Sequence, residues 1–359
     1  MENDVKTHLE APENNETLVE VKHFKKYFPI KKGFFSKVTG YVKAVDDVSF
    51  HIRKGETMGL VGESGCGKTT TGRTMLRAVE PTSGEFWFND DTLGRVDVAA
   101  LDNNKLKIAR RNIQMIFQDP YSSLNPRMNL LQLIGEPLYI HNIARGEALK
   151  ERVAELLSVV GLRPEYMNRY PHAFSGGQRQ RIGIARALGL NPQLIICDEP
   201  VSALDVSIQA QIINLLKDLQ EQYGLTYLFI AHDLSVVEYT CDRIAVMYVG
   251  NIVETATTEE LFGAPLHPYT EALLGAVPYP DPRLRTTPIV LSGEVANPAH
   301  PPSGCYFHPR CPYSDGQRCV NETPELREIR PGHHARCHYA EKLELKGVIN
   351  PPINVQDKN

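Results

Sequence analysis

The chain has 359 residues, 42% of them hydrophobic and 23% charged, and a formal net charge of −4. That length suits one large α/β domain with an appendage, and the composition allows a sizeable core. The small net charge supplies no global field pointing to nucleic acid, and no apolar run reaches the roughly 18 residues that a membrane helix needs.

Residues 1–17 are polar and acidic and read as a frayed end, with no basic segment leading into an apolar one. No secretory signal is therefore expected; the reading is cytoplasmic, with any membrane role coming through a partner. Leu18, Val19, Val21 and Phe24 begin a strand. Lys31–Lys43 is basic and glycine-containing, as in an exposed hairpin, and Val45, Val48, Phe50 and Ile52 alternate as in a half-buried strand. Thr57–Val61 is a short apolar strand, Thr70–Val79 a helix stopped by Pro81 and Gly84, and Gly84–Asn89 another strand. After an apolar strand at Ile113–Phe117, residues 120–190 read as a helical insert, with helices at Gly146–Val160 and Gln178–Leu190. Leu194–Cys197, Tyr227–Ala231 and Ile244–Tyr248 are continuous apolar runs of the kind buried on both faces of a parallel sheet, and Ser207–Tyr223 is an amphipathic helix between two of them. Near Pro265 the composition shifts toward Pro, His and Cys, which marks a distinct C-terminal piece.

The densest chemistry sits between the strand at Thr57–Val61 and the helix after it. Gly62, Glu63, Ser64, Gly65, Cys66, Gly67, Lys68, Thr69 and Thr70 fit the phosphate-loop pattern G-x4-G-K-[ST]. Glycines let successive N–H groups curl toward phosphate oxygens, and the helix start presents its positive end to the same anion. Lys68 is placed to reach the β- and γ-phosphates of a nucleotide, and Thr69 to offer a hydroxyl to Mg²⁺. The run Leu194–Cys197 delivers Asp198 and Glu199 to the C-terminal edge of the sheet, where ligands of open α/β sheets bind. Asp198 suits the Mg²⁺ hydration shell. Glu199 suits a general base that polarises the attacking water.

Phe174-Ser175-Gly176-Gly177-Gln178, ahead of Asp198, resembles the signature motif of ABC ATPases. Gln118 resembles the Q-loop glutamine, Ser202-Ala203-Leu204-Asp205 the D-loop, and His232 the switch histidine. Together with the phosphate loop these are ordered motifs spread over about 170 residues, and the resemblance covers residues 18–262. It implies an α/β P-loop ABC ATPase core with a helical subdomain at about 120–190. It further implies catalytic roles for Glu199 and His232, Mg²⁺ contacts from Thr69 and Gln118, and service of Ser175–Gln178 to ATP held by a second subunit. Phe28 matches the aromatic residue that stacks on adenine, with Tyr27 as the neighbouring alternative; both rings could equally be core.

A narrower resemblance rests on Gly62–Thr70 ("GESGCGKTT"), Phe117–Pro126 ("FQDPYSSLNP"), Ser202–Gln211 ("SALDVSIQAQ"), the Lys31–Lys43 hairpin and His267-Pro268-Tyr269. These are similar to the dipeptide/oligopeptide importer group, closest to its F-type ATPase. The implied activity is ATP hydrolysis that powers peptide import across the cytoplasmic membrane. The implied partners are a D-type ATPase sister, two transmembrane permease subunits and an extracytoplasmic substrate-binding protein, and the implied location is the cytoplasmic face of the membrane. Tyr121–Asn129 is the expected permease contact. The alternative is a soluble ABC ATPase of translation or DNA repair, which the single cassette and the lack of long coiled-coil insertions disfavour.

Residues 263–359 are expected to form a small cysteine-rich C-terminal domain. Cys305, Cys311, Cys319 and Cys337 crowd together there with spacings of x5, x7 and x17. Four thiolates can ligate zinc or an iron–sulfur cluster. The spacing is unlike a C-x2-C zinc ribbon, and the family resemblance implies a structural [4Fe–4S] cluster; His308, His333, His334 and His338 keep zinc open as the alternative.

Overall fold

The computed structural model describes residues 17–33, 36–276, 291 and 293–348. Nearly all of the expected frayed N-terminus lies outside them, as do residues 277–290 of the C-terminal piece.

Two sheets carry the fold. The first is antiparallel, in the order β2-β1-β4-β5, from β1 (Thr17–Lys32), β2 (Lys37–Arg53), β4 (Ser83–Asp90) and β5 (Gly94–Asp97). Lys31 pairs with Val38 and Lys32 with Lys37, so the basic Lys31–Lys43 segment is the far end of the β1–β2 hairpin. The second sheet has the order β11-β12-β10-β9-β3-β8-β7-β6. Its parallel part comprises β9 (Arg243–Tyr248), β3 (Thr57–Val61), β8 (Thr226–Ala231), β7 (Leu194–Asp198) and β6 (Ile113–Ile116). β3, β7 and β8 are buried along their whole length, which is why their sequences run apolar without alternation. β10 (Asn251–Thr257) turns back against β9, and β12 (His333–Ala335) and β11 (Arg327–Arg330) follow as antiparallel additions.

Helices at Leu130–Ile140, Gly146–Val159 and Gly176–Leu188 form the insert between β6 and β7. Leu133, Ile134, Leu138, Val153, Leu156, Leu157, Ile182 and Ile184 supply its core. The helix after the phosphate loop spans Lys68–Met75, shorter than Thr70–Val79 led one to expect. Arg77 takes a left-handed φ of 50°, which breaks the turn well before Pro81. The short strand β5, the helix Asn103–Asn112 and the helix Leu234–Thr240 escaped the reading of the sequence. The C-terminal region is not a free appendage: β12 takes its place in the eight-stranded sheet through Glu254↔Ala335 and Thr255↔His334.

Candidate functional site

The phosphate loop leaves the end of β3 and enters the helix Lys68–Met75 at the C-terminal edge of the parallel strands. Gly62 and Gly67 are required there by their surroundings. Their φ angles are 150° and 113°, and a Cβ would run into the main-chain oxygen of Met247 at the first and of Ala44 at the second. Gly67 caps the helix without any side chain, so the first N–H groups keep their capacity for an anion. Ser64 and Gly65 are exposed on the loop's outer curve. Cys66 is buried, and its carbonyl accepts from the Gly250 N–H at 2.8 Å, a structural use of the residue.

Lys68 is buried, with its ammonium held by the loop's own entry: Nζ donates to Gly62 O at 2.7 Å and to Glu63 O at 3.1 Å. The charge is thus preset at the mouth of the loop. Thr69 Oγ1 donates to Asp198 Oδ1 at 2.7 Å. Asp198 is fully buried, and burial pushes its carboxyl above the usual carboxylate range. Its second oxygen, Oδ2, has no hydrogen-bond partner among the described residues. A buried, unpaired carboxylate oxygen beside a threonine hydroxyl is the donor set that a hard divalent cation takes. These residues fit Mg²⁺.

Glu199 follows directly and has a left-handed φ of 45°, an uncommon conformation for a non-glycine residue that is held by its N–H donating to Ile230 O at 2.9 Å. The turn swings its carboxylate away from Asp198 toward two side chains on other elements. Gln118 Nε2, just beyond β6, donates to Glu199 Oε2 at 2.7 Å, and His232 Nδ1, just beyond β8, lies 3.1 Å from the same oxygen. Residues 81 and 33 positions away in sequence are thereby brought to one carboxylate.

The signature segment behaves differently. Ser175 caps the helix Gly176–Leu188 in a capping box: its hydroxyl accepts from Gln178 N–H at 3.4 Å, and Gln178 Oε1 accepts from Ser175 N–H at 3.1 Å. Gly177 packs against Ile208 of the helix Val206–Tyr223, where any Cβ would collide. Asp205 sits at the start of that helix, and its carbonyl receives the N–H groups of Ile208 and Gln209. Of the two aromatic candidates, Tyr27 is tied down, since its hydroxyl donates to Asp46 and burial with that carboxylate raises its pKa. The Phe28 ring is 38% exposed, with Lys26 Nζ 4.9 Å from its centroid.

The cysteines correct an expectation. Among the described residues, no group of three or more His, Cys, Asp or Glu side chains is placed to hold a metal ion, so neither the [4Fe–4S] cluster nor zinc is supported. Cys305, Cys311, Cys319 and Cys337 are free thiols. Burial, reinforced by the neighbouring thiols, pushes Cys311 up to about 12 and Cys337 up to about 11. The nearby imidazoles have oxygen partners instead. His308 Nδ1 lies 2.9 Å from the Cys305 carbonyl, His338 Nε2 lies 2.9 Å from the Glu322 carbonyl, and His333 Nε2 lies 2.7 Å from Glu254 in a buried pair. What orders the segment is β12 pairing, the Arg327–Glu341 ion pair, and Asp315, whose carboxylate accepts from Cys319 N–H at 3.0 Å.

Reading the sequence missed the partners of Glu63. Arg310 donates to the Glu63 carboxylate through both Nη1 (2.8 Å) and Nη2 (3.0 Å), and the Glu63 N–H donates to Tyr269 Oη at 2.8 Å. Tyr269 stood out only as part of a family phrase. Arg310 carried no signal, because nothing in its spacing links it to a residue 247 positions earlier.

Comparison with known proteins agrees with this geometry. The family described as "ABC transporter" matches residues 45–202, and "Oligopeptide/dipeptide transporter, C-terminal region" matches residues 253–319. The chain is 55% identical over 328 residues to the oligopeptide transport ATP-binding protein AppF of Bacillus subtilis, covering 90% of this chain and 98% of that one. It is 54% identical over 296 residues to a putative peptide import ATP-binding protein of Brucella ovis, covering 82% and 92%. Among solved structures it resembles the dimeric ATP-binding cassette MJ0796 in a post-hydrolysis state with ADP and Pi. The TM-score there is 0.58 at 30% identity, over 67% of this chain and 99% of that one. These relatives are named as ATP-binding transport proteins and cassettes.

Proposed function

The chain belongs to the ABC transporter family, in its oligopeptide/dipeptide branch, and on that premise we propose how its residues divide the work of hydrolysing ATP for peptide import. It is the ATP-binding, ATP-hydrolysing subunit of a peptide importer. The names of its relatives favour this over a soluble ATPase of translation or repair.

Lys68 and the open N–H groups at Gly67–Thr70 bind the β- and γ-phosphates. Thr69 and Asp198, with Gln118 nearby, would hold Mg²⁺, whose charge neutralises phosphate oxygens. Glu199 accepts the proton of the attacking water. Gln118 and His232 orient its carboxylate, and the His232 side chain is exposed. Phe28 is the aromatic that stacks on adenine, because Tyr27 already spends its hydroxyl on Asp46. Ser175, Gly176, Gly177 and Gln178 present a helix N-terminus to the ATP of a sister subunit, and Asp205 lies at the seam between the two. The dimeric cassette among the similar structures supports this half-site reading.

Among the described residues, no helix is long and apolar enough to cross a membrane. Docking is therefore proposed through permease subunits at the cytoplasmic face, with Tyr121–Asn129 as the contact and a D-type sister plus a substrate-binding protein completing the machine. Tyr121 is 66% exposed, and its ring is covered on one side by Arg179. The proposed boundaries are residues 18–262 for the nucleotide-binding unit and 263–359 for the C-terminal region.

The observation that carries the reading is the convergence of Gln118 and His232 on Glu199 beside the Thr69–Asp198 pair. In the assembled importer, Glu199→Gln should cut ATP turnover by about 10²–10⁴-fold with ATP binding retained. Turnover within a few fold of wild type would remove Glu199 from the catalytic role.

A further inference from the structure

Glu63 is the second residue of the phosphate loop, and each of its three polar groups is engaged. Its carbonyl accepts from Lys68 Nζ at 3.1 Å. Its N–H donates to Tyr269 Oη at 2.8 Å, and its carboxylate receives both terminal nitrogens of Arg310. The last two partners come from the C-terminal region, outside the motifs that handle ATP.

Both partners are rigidly seated. Tyr269 is fully buried, in an aromatic cluster with Tyr248 (ring centroids 4.7 Å apart) and Phe307 (5.4 Å). Its own N–H donates to His267 Nδ1 at 3.1 Å, and the His267 N–H donates to the buried Glu254 carboxylate at 2.9 Å. That carboxylate also meets His333 of β12. Arg310 is nearly buried, three residues after Phe307, and its guanidinium stands 5.9 Å from the Tyr248 ring. A two-pronged guanidinium–carboxylate pair fixes orientation as well as charge, more than a single surface ion pair does.

We propose that Tyr269 and Arg310 are positioning residues for ATP binding: through Glu63 they hold the carbonyl on which the Lys68 ammonium is preset. The His-Pro-Tyr segment and the Arg310 turn thus give the C-terminal region a role at the nucleotide site. The coupling is reciprocal by linkage, so bound nucleotide tightens the C-terminal contacts by the same factor that those contacts tighten nucleotide. The inference rests on the reading of Gly62–Thr69 as the phosphate loop.

The test is equilibrium binding of MgATP to the full-length chain in a Glu199→Gln background, which suppresses turnover. Tyr269→Phe keeps the ring and removes the acceptor; Arg310→Gln and Glu63→Gln each remove the ion pair. Each should weaken ATP about fivefold or more. The Arg310→Gln/Glu63→Gln double variant should be no weaker than the worse single variant, because both changes break one interaction. Arg310→Lys should restore only part of the loss, since an ammonium cannot make the two-pronged contact. Affinities within twofold of the parent for Tyr269→Phe and Arg310→Gln overturn the proposal, even if the melting temperature falls, because a purely structural role moves only stability. Multiplying losses in the double variant overturn it as well. Should Arg310→Gln fail to fold, Glu63→Gln and Tyr269→Phe carry the test. A parent that binds no ATP would instead sink the phosphate-loop reading.

Discussion

The phosphate edge and the cysteine segment each collect potent side chains, yet only at the first do hydrogen bonds join them into one site; the thiols neighbour one another without placing a metal-holding group among the described residues. At the edge, Lys68, Thr69, Asp198 and Glu199 hang on a strand–loop–helix unit and on the end of a buried strand. Main-chain hydrogen bonds fix where each side chain starts, so spacing in sequence translates into geometry. Cys305, Cys311, Cys319 and Cys337 lie in loops and single helical turns, and the spacing between them constrains little. A motif is informative in proportion to the regular structure that carries it.

Four measurements probe that contrast, taken from the largest expected effect to the smallest. Lys68→Ala removes a buried, twice-bonded ammonium from the phosphate site and should weaken ATP roughly a hundredfold, the equivalent of about 3 kcal/mol. ATP affinity close to wild type would deny the edge its special status.

Asp198→Asn should abolish most turnover while making the nucleotide-free chain more stable. The sign follows from burial. A carboxyl whose folded pKa is raised opposes folding when ionised, so the gain from the neutral amide appears as pH rises through that raised value and fades in acid. Denaturant melts at pH 7 and pH 4 check it; equal gains at both would remove ionisation as the cause.

His267 sharpens the comparison from the C-terminal side. Burial lowers its pKa to about 3, and its Nδ1 must stay unprotonated to accept from Tyr269 N–H. A depressed imidazole stabilises the fold above the unfolded value near 6.5, and that contribution is lost as pH falls toward 3. Wild-type stability should decline over this window and His267→Asn should flatten the decline, with hydrogen exchange near Tyr269 as the local readout. His51, lowered to about 4 mainly by burial, contributes in the same direction and stays intact in that variant as an internal control.

The smallest effect is expected at the thiols. Cys311→Ser should change ATP turnover by less than about twofold, since a protonated thiol at the edge of a core acts through packing alone. A tenfold loss would give the cysteine segment a chemical role comparable to the phosphate edge.

Much of the candidate site was legible because its parts obey local rules. Thr57–Val61 reads as a buried strand, the glycines announce a loop that only they can follow, and Asp198-Glu199 closes another apolar run. Where rules of chain distance applied, reading was weaker. The helix after the phosphate loop ended early at a left-handed Arg77, a choice that helix propensity does not encode. The convergence of Gln118 and His232 on Glu199 was expected as a set of roles through the family resemblance, whereas the distances depend on β6, β7 and β8 lying side by side as parallel neighbours in the sheet.

By itself, then, the sequence determined the nucleotide loop, the carboxylate pair and the α/β class, because each follows from residue types at short spacing under strong backbone constraints. Only the tertiary structure decided that the four thiols assemble no metal group among the described residues, that the Tyr27 hydroxyl is bonded to Asp46 while the Phe28 ring is partly exposed, and that Arg310 reaches back to Glu63. Those outcomes depend on which distant segments pack together. Packing is set by the summed burial of many weak contacts over the whole chain, which no short motif contains.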